Sequence, residues 1–295
     1  MQIYALDDTN QLIAAASAQK QKDYLCTECR GKVRVRLGTT RRPHFYHLNP
    51  PPDCRLGGKS LTHLQIQYYF QQQLGSQNCE LEKQFSEIRR IADVAWLPQK
   101  IVFEIQYSPI SKKEVLDRIQ DYRSVGWNVI WVLHEVQFNQ KRISSAELGL
   151  YNYTHYYTNI DDSGIGIVYD QFSIFKGSIR EKSIGPVELD IRQIIENRSQ
   201  IIDYLKPYPL LHKQRARWLY SFRGDLSDRI VTLIQKGSPK DSFDETLESF
   251  LLDITETKSW QDYLQIPIYF IKYLIEICCY FYRSLFHLIL EKRCK

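Results

Sequence analysis

Two carboxylates and an amide interrupt stretches that otherwise read as buried strands. In VFEIQYS (102–108), Glu104 and Gln106 stand among apolar residues, and Asp93 lies just upstream in IADVAWL (91–97). Residues two apart on a strand share a face, so Glu104 and Gln106 point together, and a short hairpin can bring Asp93 beside Glu104. Neighbouring carboxylates repel and raise each other's pKa unless a cation sits between them. Hard oxygen ligands suit Mg²⁺ or Mn²⁺, and such an ion polarises a phosphate and lowers the pKa of a bound water for in-line attack. The alternative reading has Asp93 capping a turn or pairing with an arginine, and Glu104 on a wet sheet face.

A second group of chemically capable residues lies nearer the start. Cys26-Thr-Glu-Cys29 is a C-x-x-C knuckle, in which two thiolates reach one ion from a tight turn. His44, His47 and Cys54 follow, giving five candidate ligands for the four tetrahedral positions of Zn²⁺. In an extended strand His44 and His47 face opposite sides, so one of them is expected to bind. The alternatives are unliganded buried thiols or a redox pair at Cys26 and Cys29. Arg34, Arg36, Arg41 and Arg42 nearby are candidate phosphate contacts, or simply a solvated basic face.

The elements that must hold these residues can be read from pattern. QIYAL, DDTN and LIAAA suggest an opening hairpin, and the prolines of NPPPDC close the Cys/His unit. A helix is predicted from Ser60 to Leu74, stopped by Gly75. CELEKQF (79–85), IADVAWL and IVFEIQY alternate like strands. Ser111 and Glu114 match a capping box that opens a helix carrying Val115, Ile119, Tyr122 and Val125 at helical spacing. Gly126 ends it, and NVIWVL (128–133) is a strand reached by a crossover that suits parallel pairing. Short strands are predicted from 150 to 185, and from about 187 a helical region runs through RQIIENRSQIIDYL and LSDRIVTLIQ to an apolar tail.

RIADVAW, FEIQYSPIS and DRIQDYRSVGWNVIWVL together resemble the competence protein CoiA family, as do YLCTEC and HFYH in the N-terminal unit. The resemblance covers about the first 135 residues. It implies a PD-(D/E)XK-type nuclease core with an Asp strand, an E-x-Q strand and a helix bearing R-x-x-x-Y. Asp93 and Glu104 would then be ligands for Mg²⁺ or Mn²⁺, with the Ile105 carbonyl as a third oxygen. Gln106 would position the attacking water, and Arg118 and Tyr122 would be phosphate and structural contacts. For Tyr122 core packing is the competing reading. The resemblance also favours His47 with Cys54 in a structural zinc site, leaving His44 beside it or facing DNA.

The chain departs from the family at the first helix. Where the family reads E-S-x-x-H-x-x-x-K, this chain has Lys59-Ser60-Leu61-Thr62-His63 and Gln67. A cation replaces a potential metal ligand and an amide replaces a lysine, while His63 is retained in the candidate catalytic set. Lys59 thereby becomes a candidate phosphate contact, together with Arg41 and Arg42.

Composition bounds the rest. The 295 residues carry a net charge of +5, which only weakly suggests a polyanionic partner. Seven cysteines and no export signal at the N-terminus favour a reducing compartment, with cytoplasm the default. The apolar stretch 266–290 is interrupted by Lys272, Glu276 and Arg283 on one helical face, so no membrane span is expected. The expected architecture is α/β: a hairpin and zinc-ribbon-like module (1–57), a nuclease-like mixed sheet flanked by helices (58–150), a short β extension (151–186) and a helical C-terminal domain (187–295). Two functions compete. One is a metal-dependent DNA nuclease acting on incoming DNA, in single-stranded or processed form, during natural transformation and before recombination. The other is a nuclease-fold DNA-binding or adaptor protein that has lost hydrolysis. Recombination proteins are candidate partners through the helical C-terminal region.

Overall fold

A computed structural model describes residues 1–38, 42–49, 51–54, 56, 59–196, 220–236 and 241–256. The chain opens with a five-stranded sheet in the order β2-β1-β3-β4-β5: β1 Tyr4–Leu6, β2 Leu12–Ala14, β3 Tyr24–Leu25, β4 Lys32–Arg36 and β5 His44–His47. Strand alternation puts Val33, Val35 and Phe45 on one face, where they pack with Ala5, Tyr24, Cys26, Cys54 and Leu56 in a small core of their own.

Helix α1 (Leu61–Leu74) follows, capped by the Ser60 hydroxyl, which accepts the His63 N–H, and ended at Gly75, whose φ of 84° suits glycine. Its first seven residues are all buried, including His63, Gln65 and Gln67. Buried polar groups need partners, and these three find them: Asp93 for His63 and Gln67, and the Asp162 carbonyl for Gln65.

The main sheet has seven strands in the order β12-β11-β10-β9-β8-β7-β6. β6 (Cys79–Phe85), β7 (Arg90–Trp96) and β8 (Ile101–Gln106) form the expected meander. Helix α2 (Lys112–Ser124) then crosses over to β9 (Asn128–His134), which pairs parallel to β8 as the crossover predicts. A short helix α3 (Ser145–Leu150) leads to β10 (His155–Thr158), parallel to β9. β11 (Val168–Lys176) and β12 (Ile179–Glu188) close the far side as a hairpin. The segment expected as a β extension at 151–186 thus continues the central sheet.

Both faces of that sheet are covered. Leu64, Ile66, Phe70 and Leu74 of α1 pack on Val94, Trp96, Phe103, Ile105, Ile130 and Val132. Val115, Ile119 and Tyr122 of α2, with Ala146 and Leu150 of α3, pack on Val102, Val129, Trp131 and Leu133. The near-continuous apolar runs of β8 and β9 follow from this double burial.

The predicted helix at RQIIENRSQIIDYL is corrected at its start. Asp190–Glu196 is a strand, β13, paired antiparallel with β14 (Tyr220–Arg223). Ile191, Ile194 and Ile195 have helical spacing, but Leu189 and Ile191 are buried beside Phe222 in the core on the α1 face. A partner strand some thirty residues away overrides the local pattern. The helical expectation holds at α4 (Leu226–Lys236) and α5 (Ser242–Glu256). Among the described residues, no helix is long and apolar enough to cross a membrane, and the stretch 266–290 lies outside them.

Candidate metal cluster and phosphate cleft

The knuckle after β3, the end of β5 and the segment after the prolines converge on one point. Cys26, Cys29, His47 and Cys54 offer ligand atoms all within 4.8 Å of one another. The Cys26 and Cys54 sulfurs are 3.7 Å apart, and His47 Nε2 lies 3.3 Å from Cys29 Sγ and 3.6 Å from Cys54 Sγ. Thiolates about 2.3 Å from a tetrahedral zinc would be ~3.8 Å apart, so the spacing fits. Backbone N–H groups of Glu28 and Gly31 donate to the Cys26 and Cys29 sulfurs. A Cβ on Gly31 would lie 3.2 Å from Cys29 Sγ, which explains a glycine there. Burial pushes the Cys26 thiol up and the His47 imidazole down, keeping the latter a neutral ligand. His44 is on the other face of β5, its Nδ1 2.9 Å from the Arg42 carbonyl, and does not join the cluster.

Asp93 sits where the central sheet is interrupted. Pairing between β7 and β8 runs to Val94↔Phe103 and stops, so Asp93 and Glu104 occupy the next facing positions. The Asp93 carboxylate instead accepts the Ile105 N–H at 2.9 Å. On its other side, the β6–β7 register passes from Leu81↔Val94 to Lys83↔Ala92 without pairing Glu82 to Asp93. Glu82 has φ 52°, an uncommon conformation for this residue type, and its side chain is turned inward, 7% exposed.

That turn creates a buried charge cluster. Lys59 Nζ donates to Asp93 Oδ1 at 2.8 Å and to Glu82 Oε1 at 3.3 Å, while the Ile3 N–H donates to Glu82 Oε2. His63 Nε2 is 2.8 Å from the same Asp93 oxygen, and Gln67 donates to the Asp93 carbonyl. Burial alone would raise the Asp93 carboxyl, but His63 and Lys59 outweigh it and hold it well below the usual carboxylate range. Burial opposes charge on Lys59 too, yet Asp93 and Glu82 raise its pKa, so it stays an ammonium.

Glu104, 1% exposed, faces α2. Its oxygens accept from Arg118 Nη1 at 2.6 Å and from the Tyr122 hydroxyl at 2.7 Å. Burial pushes Glu104 up, and these two donors support its charged form. Arg118 also bonds Glu114, which binds Arg90, and Arg90 in turn reaches Asp121. The Ser111 half of the expected capping box is present, but the Glu114 carboxylate is drawn to the two arginines rather than back to the helix end.

Lys59, Ser60, His63, Arg90, Asp93, Gln106, Ser108, Arg118 and Tyr122 line one cleft of about 280 Å³. Sequence reading placed Lys59, His63, Asp93, Gln106, Arg118 and Tyr122 in one site, and the fold brings them together; Glu104 lies beneath Arg118 and Tyr122. Gln106 turns its amide to the Ser108 carbonyl and hydroxyl. Of the basic residues on the N-terminal module, Arg34 pairs with Asp23, Arg36 lies over the Tyr46 ring and Arg42 over the Tyr68 ring. Arg41 is outside the described residues. Glu82 and Arg90 were missed from sequence: Glu82 occupies a position that alternation assigns to solvent, and nothing local marks Arg90 as a cleft residue.

A hard divalent ion needs open carboxylate oxygens. Here Asp93 is held by Lys59, His63 and the Ile105 N–H, and Glu104 by Arg118 and Tyr122. The Cys/His cluster is the only group of three or more ligand side chains close enough to share one ion among the described residues. As arranged, the carboxylates do not fit Mg²⁺ or Mn²⁺ unless Lys59 withdraws.

Two outcomes follow for stability. Arg118→Ala strands the Glu104 charge in the core and should destabilise the fold by about 3–5 kcal/mol in denaturant unfolding. Adding Glu104→Gln should recover much of that loss, and a cost below about 1 kcal/mol for Arg118→Ala would show the pair is not what holds Glu104. The Asp93 carboxyl is depressed in the folded state, so its contribution is present above the unfolded carboxylate pKa of about 3.9 and fades as pH falls below it. The stability gap between wild type and Asp93→Asn should therefore shrink as the pH falls below about 4. A gap that widens as the pH falls below about 4 would contradict this account.

Comparison with known proteins locates the chain. A family model described as the competence protein CoiA nuclease-like domain matches residues 59–173, and one described as the CoiA N-terminal domain matches residues 7–56. No curated protein and no solved structure matches. The two models meet at the junction between the Cys/His module and the cleft, and together they span more than half of the sequence: this chain belongs to the competence protein CoiA family.

Proposed function

We propose that this chain binds DNA through the Asp93 cleft during natural transformation, as a nuclease-fold protein in which hydrolysis is weak or lost. The observation that carries this reading is the pairing of both candidate catalytic carboxylates with the chain's own cations, Lys59 on Asp93 and Arg118 on Glu104. Lys59 has three N–H donors and spends two on Glu82 and Asp93, leaving one for a phosphate oxygen in the cleft it lines. Ser60, Ser108 and Arg90 add donors around the same opening. The protein would act on incoming DNA in the cytoplasm before recombination, with recombination proteins as partners of the C-terminal region, most of which lies outside the described residues.

A second reading is hydrolysis assisted by Mg²⁺ or Mn²⁺, with Asp93 and Glu104 as ligands and Gln106 and His63 beside the attacking water. It is favoured by the charge balance: Glu82, Asp93 and Glu104 are three buried carboxylates against two permanent cations, Lys59 and Arg118. One experiment separates the readings. Labelled single- and double-stranded oligonucleotides are titrated with protein in EDTA and in Mn²⁺, while cleavage is followed on gels. Binding should persist in EDTA and weaken with salt, with little cleavage in either condition. Strong Mn²⁺-dependent cleavage that falls at least about a hundredfold in Glu104→Ala would establish the second reading instead.

The Cys26, Cys29, His47 and Cys54 cluster is proposed to hold one structural Zn²⁺, since protein atoms fill all four positions and leave none for a water. Elemental analysis of protein purified without added metal should give about one zinc per chain, and Cys54→Ser should lower it. A metal-free protein with Cys26 and Cys29 oxidised to each other under reducing conditions would support the redox alternative.

A further inference from the structure

We propose that Lys59 is a tethered counter-ion: its ammonium fills a cation seat formed by Glu82 and Asp93, and removing it would open that seat to a hard divalent metal. Glu82 and Asp93 face one another across adjacent strands at the one position where the β6–β7 ladder skips a pair. Two carboxylates at such a position repel unless a positive charge sits between them. Lys59 Nζ does so, 2.8 Å from one carboxylate and 3.3 Å from the other, with its side chain only 11% exposed.

Backbone donors hold each carboxylate of the seat from the side away from Lys59. The Ile3 N–H fixes Glu82 Oε2 and the Ile105 N–H fixes Asp93 Oδ2, while Lys59 binds Glu82 Oε1 and Asp93 Oδ1, the latter shared with His63 Nε2 at 2.8 Å. Without the ammonium, these two oxygens would converge on a gap at the wall of the cleft that Lys59 and Asp93 line. Oxygen donors converging on a water-accessible gap suit Mg²⁺ or Mn²⁺ rather than a soft ion. A lysine cannot be displaced by dilution as a bound ion can, so a phosphate contact that uses Lys59 needs no free metal. The inference rests on the cleft being the DNA site for its consequence, but not for the cation seat itself.

Mn²⁺ alone is the first probe. Binding is measured by electron paramagnetic resonance and calorimetry on wild type, Lys59→Met and the double variant Lys59→Met, Asp93→Asn. Lys59→Met should bind Mn²⁺ at least about tenfold more tightly than wild type, and the double variant should lose that gain. Should Lys59→Met be unfolded without metal, Mn²⁺ should restore its circular dichroism and cooperative melting while leaving the wild-type melting temperature unchanged. Equal Mn²⁺ affinity in wild type and Lys59→Met, a gain that survives Asp93→Asn, or an unfolded Lys59→Met that Mn²⁺ does not rescue would overturn the proposal. A labelled single-stranded oligonucleotide is the second probe: wild type should bind it equally in EDTA and Mn²⁺, whereas Lys59→Met should bind it at least about tenfold better with Mn²⁺ than in EDTA. Failure of wild type to bind the oligonucleotide at all would remove the DNA reading of the cleft and leave the Mn²⁺ result to judge Lys59 by itself.

Discussion

The site depends on a single buried charge and the donors gathered to hold it. Asp93 is 5% exposed, and an unpaired carboxylate at such a depth would cost several kcal/mol. It is satisfied by groups from three separate places: Lys59 ahead of α1, His63 within α1 and the Ile105 N–H on β8. Each donor imposes a position on its element. β7 must stop pairing with β8 for the carboxylate to reach the Ile105 N–H, and α1 must lie with His63 and Gln67 inward. This is why a helix with so many polar residues is buried through its first two turns. The apolar remainder of α1, Leu64, Ile66 and Phe70, then seats it on the sheet.

The opposite face repeats the principle with a different pair. Glu104 points to α2, and Arg118 and Tyr122, four residues apart on that helix, meet it together. Facing positions on adjacent strands therefore hold carboxylates that belong to different networks, one led by a lysine and one by an arginine. The difference matters chemically. Arg118 is a planar fork whose bonds to two carboxylates use two of its five N–H donors, whereas Lys59 is a point charge that spends two of its three. Both cations line the cleft and keep N–H donors for an entering phosphate, Arg118 more of them than Lys59.

Much of this framework was legible in the sequence, and the exceptions share a cause. Ser60 and Gly75 bound α1, Ser111 opens α2, and the meander and parallel crossover from Cys79 to His134 follow from period-two alternation and loop length. Asp93 and Glu104 stood out as carboxylates in apolar runs, the Cys/His ligands through the C-x-x-C knuckle, and His63 through the resemblance to the CoiA family. What could not be read were features decided by distant neighbours. Glu82 looks like a solvent-facing residue of CELEKQF until a φ of 52° turns it inward toward Lys59, 23 residues away. Glu114 fits a capping box locally, yet two arginines compete for it more strongly than a helix N-terminus does. The isoleucines of β13 have helical spacing, and only the Phe222 strand makes them β.

The N-terminal module gains a meaning from the same geometry. Glu28, inside the C-x-x-C knuckle, accepts the Leu56 N–H, and Leu56 is buried in the module's core while also lining the cleft. Lys59 follows three residues later, and Ile3, just ahead of β1, supplies its N–H to Glu82. Cys54 is thus held in the sulfur cluster and Lys59, nearby in sequence, at the buried carboxylates. A long, flexible lysine side chain would ordinarily lose considerable entropy on being held at one point. The Met1 ammonium holds the Lys59 carbonyl and also the carbonyl of Leu56, which reduces the freedom left to lose and ties the ordering of the cleft to the ordering of the Cys/His module. In a fold whose sheet pairing is broken at the site itself, that external anchor does what a continuous ladder would do elsewhere.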